Sequence, residues 1–492
     1  MLFKDIRSLG KETLIYGLST VVARLLNFIL LPFYTHYLAP GEYGIITTVF
    51  AYIAFFNIVY EYGMDQAYLR FAAGKSEEEA AAIFSTCWLS LAVTSTSLSA
   101  LVFWNAEALA CLGGLRAEAA PLVRYAACVL ALDALNAVPF AELRLRHKAW
   151  QYVMTRVLNI ATNAGANVLL LAGLHLGSRG VFIAALLASS VSLTLLAPVL
   201  IARLKPAFDG KLYPELLRFS LPLVPAGLGA MMVQVIDRPV MLRLTDDVTV
   251  GIYQANYRMG IFMLLINTMF DQAWRPFFLE RAGKPGADAL FGRVLTYYLL
   301  VGICVVLGLA FFLADIVTFP FFGTPLIHPN YWGGLKVLPV ILTAYLFHGA
   351  YINFLASITI SKRTDLLPWI TALGAAVSIG GNFALIPVMG MMGAAWSVFA
   401  SYAAMACAMG LLGRKVHPIP YEWNRVGKIL ATGAAAAILA LAMRSLHGGT
   451  GVYWVLSRLG ILTMVPVTLY LVGFFEPDEL EVLKRFRMPE RS

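Results

Sequence analysis

The chain has 492 residues, of which 60% are hydrophobic and 13% charged, about half the charged fraction of an ordinary soluble domain. That balance excludes a soluble globular protein and puts most of the chain in lipid. The net charge of +9 fits basic cytoplasmic loops of a polytopic membrane protein and does not by itself point to nucleic acid.

The first apolar stretch runs from Leu14 to Leu38, behind Lys4, Asp5, Arg7, Lys11 and Glu12. It is too long for a signal-peptide core and lacks a small-x-small cleavage site, so this span is expected to be retained. Arg24 stands near its middle, about 15 Å from either end and so at the midplane of a bilayer core about 30 Å thick. An arginine there costs about 2.5–3.5 kcal/mol on insertion scales and must face protein or a watery cavity. Snorkelling from the midplane needs a long reach, and the sharper expectation is a buried cationic site for an anion. Asn27 follows on the same span as cavity lining.

Further apolar segments of spanning length fall near 43–64, 83–104, 121–141, 152–174, 181–202, 219–242, 250–271, 293–316, 335–360, 366–387, 391–412, 427–445 and 452–474, giving an all-α polytopic protein of about fourteen transmembrane helices. With the N-terminus inside, Arg144, Arg146, Lys148, Arg414 and Lys415 fall on the cytoplasmic side. The opposite side carries Arg116, Arg179, Arg243, Lys336 and Arg444. The bias predicts that both termini are cytoplasmic.

Pro32 and Pro239 are 207 residues apart, as are Gly44 and Gly251, and Asp65-Gln66-Ala67 recurs as Asp271-Gln272-Ala273. Spans 1 and 2 therefore resemble spans 7 and 8. Asn167 followed by Gly177-x-x-Gly180 likewise pairs with Asn382 followed by Gly390-x-x-Gly393. Two pseudo-symmetric six-helix lobes are expected, 1–210 and 211–415, with helices 13 and 14 and a cytoplasmic tail over 416–492. Because six is even, the repeats run parallel, an arrangement suited to rocking around a midplane site.

Single motifs weigh less. Gly74-Lys75-Ser76 ends like a phosphate loop, but Leu69 stands where a glycine is needed and Glu77, Glu78 and Glu79 would repel phosphate. These acids instead suit the start of the next helix. The five cysteines are scattered without a C-x-x-C pair, which indicates neither a disulfide framework nor a metal site. His348 is a lone histidine of the tenth span, and such a residue is more often part of the core than a proton relay. Arg258, with Gln254 and Asn256, makes one turn of the eighth span hydrophilic and reads as cavity lining. Arg238 sits beside Asp237 near the outer end of the seventh, where a carboxylate would neutralise it. Asp65 and Asp271, at the cytoplasmic ends of spans 2 and 8, are candidates for gating or ion coupling through basic neighbours such as Arg70 and Arg275, and Asp237 joins them.

The first span with Arg24, the turn Leu38-Ala39-Pro40-Gly41-Glu42-Tyr43-Gly44-Ile45, the paired lobes and the Asn382 to Gly393 segment together resemble the Wzx-type polysaccharide flippases of the multidrug/oligosaccharidyl-lipid/polysaccharide (MOP) exporter superfamily. The resemblance covers nearly the whole chain. It implies transport of an undecaprenyl-pyrophosphate-linked oligosaccharide from the inner to the outer leaflet of the bacterial inner membrane, for surface polysaccharides such as lipopolysaccharide. The implied mechanism is alternating access, without catalysis. Arg24, Arg258 and Arg238 would receive the pyrophosphate, by charge and by bidentate hydrogen bonds. The implied partners are the lipid-linked oligosaccharide, the bilayer and a polysaccharide polymerase or assembly machinery. No cofactor is implied, and a proton or sodium gradient is the candidate drive. The extra helices 13 and 14 resemble the lipid-tail groove of lipid II flippases, from which Arg458 departs. The alternatives are a lipid II flippase, a multidrug antiporter of the MATE type, or a membrane glycosyltransferase or polymerase. A cation extruder would want acids in the cavity, and an enzyme an extended extracytoplasmic loop.

Overall fold

The computed structural model describes residues 28–205, 208–321, 323–447, 452–476 and 479. Arg24 and Asn27 lie outside the described residues. The chain is almost entirely helical. After a helix over 28–37 come α1 Pro40–Glu61, α2 Met64–Ala72, α3 Glu77–Trp104, α4 Ala106–Leu112, α5 Ala120–Leu145, α6 Ala149–Val168 and α7 Gly177–Arg203. There follow α8 Tyr213–Ser220, α9 Leu223–Val235, α10 Asp237–Leu244, α11 Asp247–Tyr257, α12 Ile261–Arg281 and α13 Ala287–Thr318. The last helices are α14 Leu338–Ile360, α15 Leu367–Met389, α16 Met391–Val416, α17 Trp423–His447 and α18 Val452–Leu471.

Among the described residues eleven helical segments are long and apolar enough to cross a membrane, and the chain is a multi-pass membrane protein. Of the expected spans, 14–38 falls largely outside the described residues. Those at 152–174 and 250–271 are helical but fall short of this standard. Their shortfall has a cause in the residues: α6 carries Arg156, Asn159, Asn163 and Asn167, and the eighth span carries Gln254, Asn256, Arg258 and Asn267.

The local sequence explains where helices start and bend. Pro40 opens α1, where its missing N–H costs nothing. At its other end the backbone turns left-handed at Tyr62 and Gly63, and the Tyr62 hydroxyl is held 2.6 Å from Ser90 Oγ. Ser76 and Glu79 form a reciprocal capping box, so Glu77, Glu78 and Glu79 open α3. Pro139 lies inside α5 and has no N–H for the carbonyl four residues back. That carbonyl, of Leu135, accepts instead from Trp88 Nε1 at 3.1 Å.

The chain forms two compact units. The first comprises 1–261, 320–337 and 367–404. Within it α1 crosses α11 at two glycines, and a Cβ built on Gly44 would lie 1.9 Å from the Asp247 carbonyl oxygen. One on Gly251 would lie 1.8 Å from that of Pro40. Pro40 and Asp247 are themselves 207 residues apart, so the crossing is reciprocal: each repeat presents the same glycine to the same carbonyl of the other. Small residues of this kind let backbones meet in lipid. The second repeat signal is also conformational, since Gly177 and Gly390 share a left-handed backbone (φ 54° and 56°) ahead of Gly180 and Gly393. At the other end of the unit, buried Glu142 accepts from Arg203 Nε at 2.7 Å, Arg146 Nε at 3.2 Å and the Tyr68 hydroxyl. Arg146 and Arg203 also both reach Glu77. One carboxylate thus ties α2, α5 and α7, and Glu77 adds α3.

The second unit comprises 262–319, 338–366 and 405–492. Asn267 of α12 donates to the Tyr345 carbonyl and accepts from the Tyr298 hydroxyl, each at 2.7 Å, fastening α12 to α13 and α14. His348 lies 3.3 Å from Asn267 Nδ2 and stacks on Tyr351, which places it in this packed network. Arg458 of α18 is buried and pairs with Asp315 of α13 at 2.5 Å, with the Phe312 and Trp454 rings on its faces. The arginine is thereby neutralised where α18 meets α13.

Candidate substrate cavity

A cavity of about 590 Å³ opens within the first unit between α1, α5, α6 and α7. Its wall is polar to a degree unusual for membrane helices. Asn57 and Glu61 come from α1, Asp65 from α2, Asp133, Asn136 and Arg144 from α5, Arg156, Asn159 and Asn163 from α6, and Ser189 and Ser192 from α7. Phe50, Phe140 and Tyr152 supply aromatic surface.

The hydrogen bonds show how the wall is held. Ser189 Oγ donates to Asp133 Oδ1 at 2.7 Å, and Asn136 Nδ2 donates to the Ser189 carbonyl at 3.1 Å. Asn159 Nδ2 donates to the Ala188 carbonyl at 2.9 Å and to Ser192 Oγ at 2.8 Å. These bonds fix α5 and α6 against α7. Asp65 pairs with Arg144 at 3.3 Å. The Arg156 guanidinium lies 4.2 Å from the Phe140 ring centre and 5.6 Å from that of Tyr152, a stacked position that leaves its edge N–H groups for other partners. Two acceptors, Asn57 Oδ1 and Asn136 Oδ1, are buried with no hydrogen-bond partner, although Asn136 as a residue is 4% exposed. Buried polar atoms are normally paired with protein groups or ordered water.

The residues singled out from sequence distribute differently. Of the described ones, Asp65 alone lines this cavity. It pairs with Arg144 of α5, not with Arg70, whereas Asp271 pairs with Arg275 at 2.7 Å in the second unit. Arg258 sits in the break between α11 and α12, its guanidinium 5.5 Å from the Tyr43 ring centre. Arg238 lies 3.8 Å from buried Asp237. Gln254 and Asn256 are both buried, and Asn256 Nδ2 donates to the carbonyls of Ile252 and Tyr331, each at 2.8 Å. Its amide thus fastens the 3-10 segment Pro329–Val337 to α11.

None of Asn57, Glu61, Asp133, Asn136, Asn159 and Asn163 was expected from sequence, yet their spacing carries a signal. Asn57 and Glu61 are four apart, Asp133 and Asn136 three apart, and Arg156, Asn159 and Asn163 follow at three and four. Each set is a polar stripe on one face of an otherwise apolar helix.

The model of a family described as polysaccharide biosynthesis protein matches residues 35–324, more than half of the chain. The chain belongs to the polysaccharide biosynthesis protein family. Its fold is that of the MOP-superfamily transporters. This family member resembles the lipid II flippase MurJ in an inward closed conformation, with a TM-score of 0.73 at 16% identity over 94% of this chain and 99% of that one. It also resembles a multidrug resistance MATE family transporter of the MOP superfamily in an inward-facing conformation, with a TM-score of 0.66 at 15% identity over 80% of this chain and 97% of that one. The Vibrio cholerae MATE transporter VcmN in its bent form gives 0.56 at 13% identity, covering 83% and 96%. No curated protein sequence matches the chain.

Proposed function

We propose that the chain is a flippase that carries an undecaprenyl-pyrophosphate-linked oligosaccharide from the inner to the outer leaflet of the bacterial cytoplasmic membrane, for assembly of a surface polysaccharide. The observation that carries this reading is a polar cavity of about 590 Å³ set among membrane helices of a polysaccharide biosynthesis family member. A lipid tail can stay in the bilayer, but sugars and pyrophosphate cannot cross hydrocarbon unpaired. Only the head group needs a wet enclosure.

In this reading Arg24, Arg258 and Arg238 receive the pyrophosphate. The six-helix lobes 1–210 and 211–415 alternate access to it, and Asp65 and Asp271 help to close the cytoplasmic side. Helices 13 and 14, within 416–492, attend the lipid tail. The work is transport without bond making. A lipid II flippase is the second reading, supported by the likeness to MurJ along nearly the whole chain, and it needs the same head-group chemistry.

Deletion in the native host tests the proposal. Finished lipid-linked oligosaccharide is expected to accumulate on the cytoplasmic leaflet, and arrested peptidoglycan synthesis with lipid II accumulation would favour the second reading. Arg24→Ala is expected to insert normally and to abolish export, with Lys restoring it in part, because a point charge lacks the bidentate fork. An Ala variant present at parental level and exporting at the parental rate would remove Arg24 from the site.

A further inference from the structure

The cavity between α1, α5, α6 and α7 has a volume, a charge and a set of unmet hydrogen bonds, and the three agree on a class of ligand. The volume of about 590 Å³ is that of about twenty waters at about 30 Å³ each. It is far more than a bare ion occupies and lies within the range of cavities that enclose organic ligands. The charge is acceptor-biased. Asp65 is already matched by Arg144. Glu61 and Asp133 then face one further cation, Arg156, which rests on the Phe140 ring. The unmet hydrogen bonds have the same sign: Asn57 Oδ1 and Asn136 Oδ1 are acceptors lacking a donor. Asn136 is 96% buried and lines the cavity, its amide nitrogen spent on the Ser189 carbonyl.

A ligand that completes this wall must bring several donors, some acceptors for Arg156, and apolar faces for Phe140 and Tyr152. Sugars have that combination, because each hydroxyl both donates and accepts while the ring C–H groups form a flat apolar face. We propose that this cavity is a carbohydrate subsite. It takes neutral or amino-bearing sugar residues of the head group, with Glu61, Asp133, Asn57 and Asn136 accepting from them, and it disfavours sugars bearing carboxylates. The inference rests on the flippase reading and adds to it the sugar class and the residues that select it.

The test uses the full chain purified into lipid nanodiscs, with binding read by native mass spectrometry. Three probes are compared: lipid-linked oligosaccharide extracted from a host lacking the chain, bare undecaprenyl pyrophosphate, and phosphatidylglycerol. The native chain is expected to prefer the sugar-bearing carrier to the bare one by about tenfold or more, the size of one charge-assisted hydrogen bond. Glu61→Gln keeps the side-chain volume and removes the charge; with Asn136→Ser it is expected to erase most of that preference, read as the ratio of the two carriers bound by the same protein. Thermal melts establish that the variants are folded, and Asn57→Ser serves as a separate probe if the pair is not.

Variants that keep the full preference would overturn the subsite and leave the flippase reading intact. Equal binding of both carriers by the native chain would do the same. A native chain that binds neither carrier above phosphatidylglycerol would overturn the flippase reading itself. The sign of the selection is tested with the same carrier after oxidation of its primary hydroxyls to carboxylates. Weaker binding is expected, and binding as tight as that of the parent would sink the claim of selection against anionic sugars.

Discussion

Glu142 shows how a charged residue survives inside a membrane protein. It is 3% exposed and is met by two guanidinium groups and a phenol. Removing Glu142 takes the acceptor from the Tyr68 hydroxyl and one of two carboxylates from Arg146 and Arg203, which keep Glu77, at a cost of about 1–3 kcal/mol. Glu142→Ala should therefore lower the melting temperature sharply, and Glu142→Gln less so. Parental stability in the Ala variant would show that the cluster is idle. Glu479 gives a pH-dependent counterpart. Burial opposes its ionisation, yet hydrogen bonds from Tyr297, the Glu476 amide and Arg425 outweigh burial and hold its carboxyl below the usual carboxylate range. A depressed carboxyl stabilises fully above its unfolded value of about 4.3 and loses that contribution as pH falls through the folded value. Melting temperature should thus fall below about pH 4 more steeply in the native chain than in Glu479→Gln, and identical profiles would refute the assignment.

Among the helices, the reciprocal meeting of α1 and α11 makes a prediction that depends on symmetry. Gly44 and Gly251 each face a carbonyl oxygen at less than the distance a Cβ requires. Ala at either position must push the two helices apart, and overpacking of this kind costs about 1–3 kcal/mol. Because the contact is the same from both sides, Gly44→Ala and Gly251→Ala should lower stability by similar amounts, and the double variant by less than their sum. A large loss at one position beside tolerance at the other would show that the crossing is not reciprocal. The ion pairs of the Asp65 and Asp271 repeats turn on helix geometry too. Arg275 is four residues after Asp271 and shares its face, and the pair forms. Arg70 is five residues after Asp65, about 140° round the helix. Asp65 accordingly turns to Arg144 on α5.

For the whole molecule, the arrangement of basic loops makes a test of orientation. Arg146, Lys362 and Lys415 are expected inside and Gly41, Arg179 and Gly448 outside. In intact cells an impermeant thiol reagent should label a cysteine at position 179 and spare one at 362; the opposite pattern would invert the topology.

The sequence by itself determined that this is a helical membrane protein and where most of its helices lie, because apolar length and glycine spacing are read along the chain without knowing what packs on what. The Gly44 and Gly251 correspondence was legible for the same reason. Tertiary structure alone decided which polar faces look at one another. The stripe at Asn57 and Glu61 could have faced solvent, another helix or a cavity, and only the packing of α1 against α5 and α7 brings it opposite Asp133 and Asn136. The converse holds for Asn256, a hydrophilic residue in the sequence that the fold spends on a carbonyl of the 3-10 segment. A helix's periodicity records that it has a polar side. It carries no information about the partner that side will meet, since the partner comes from chain distant in sequence and is chosen by the packing of apolar faces between them.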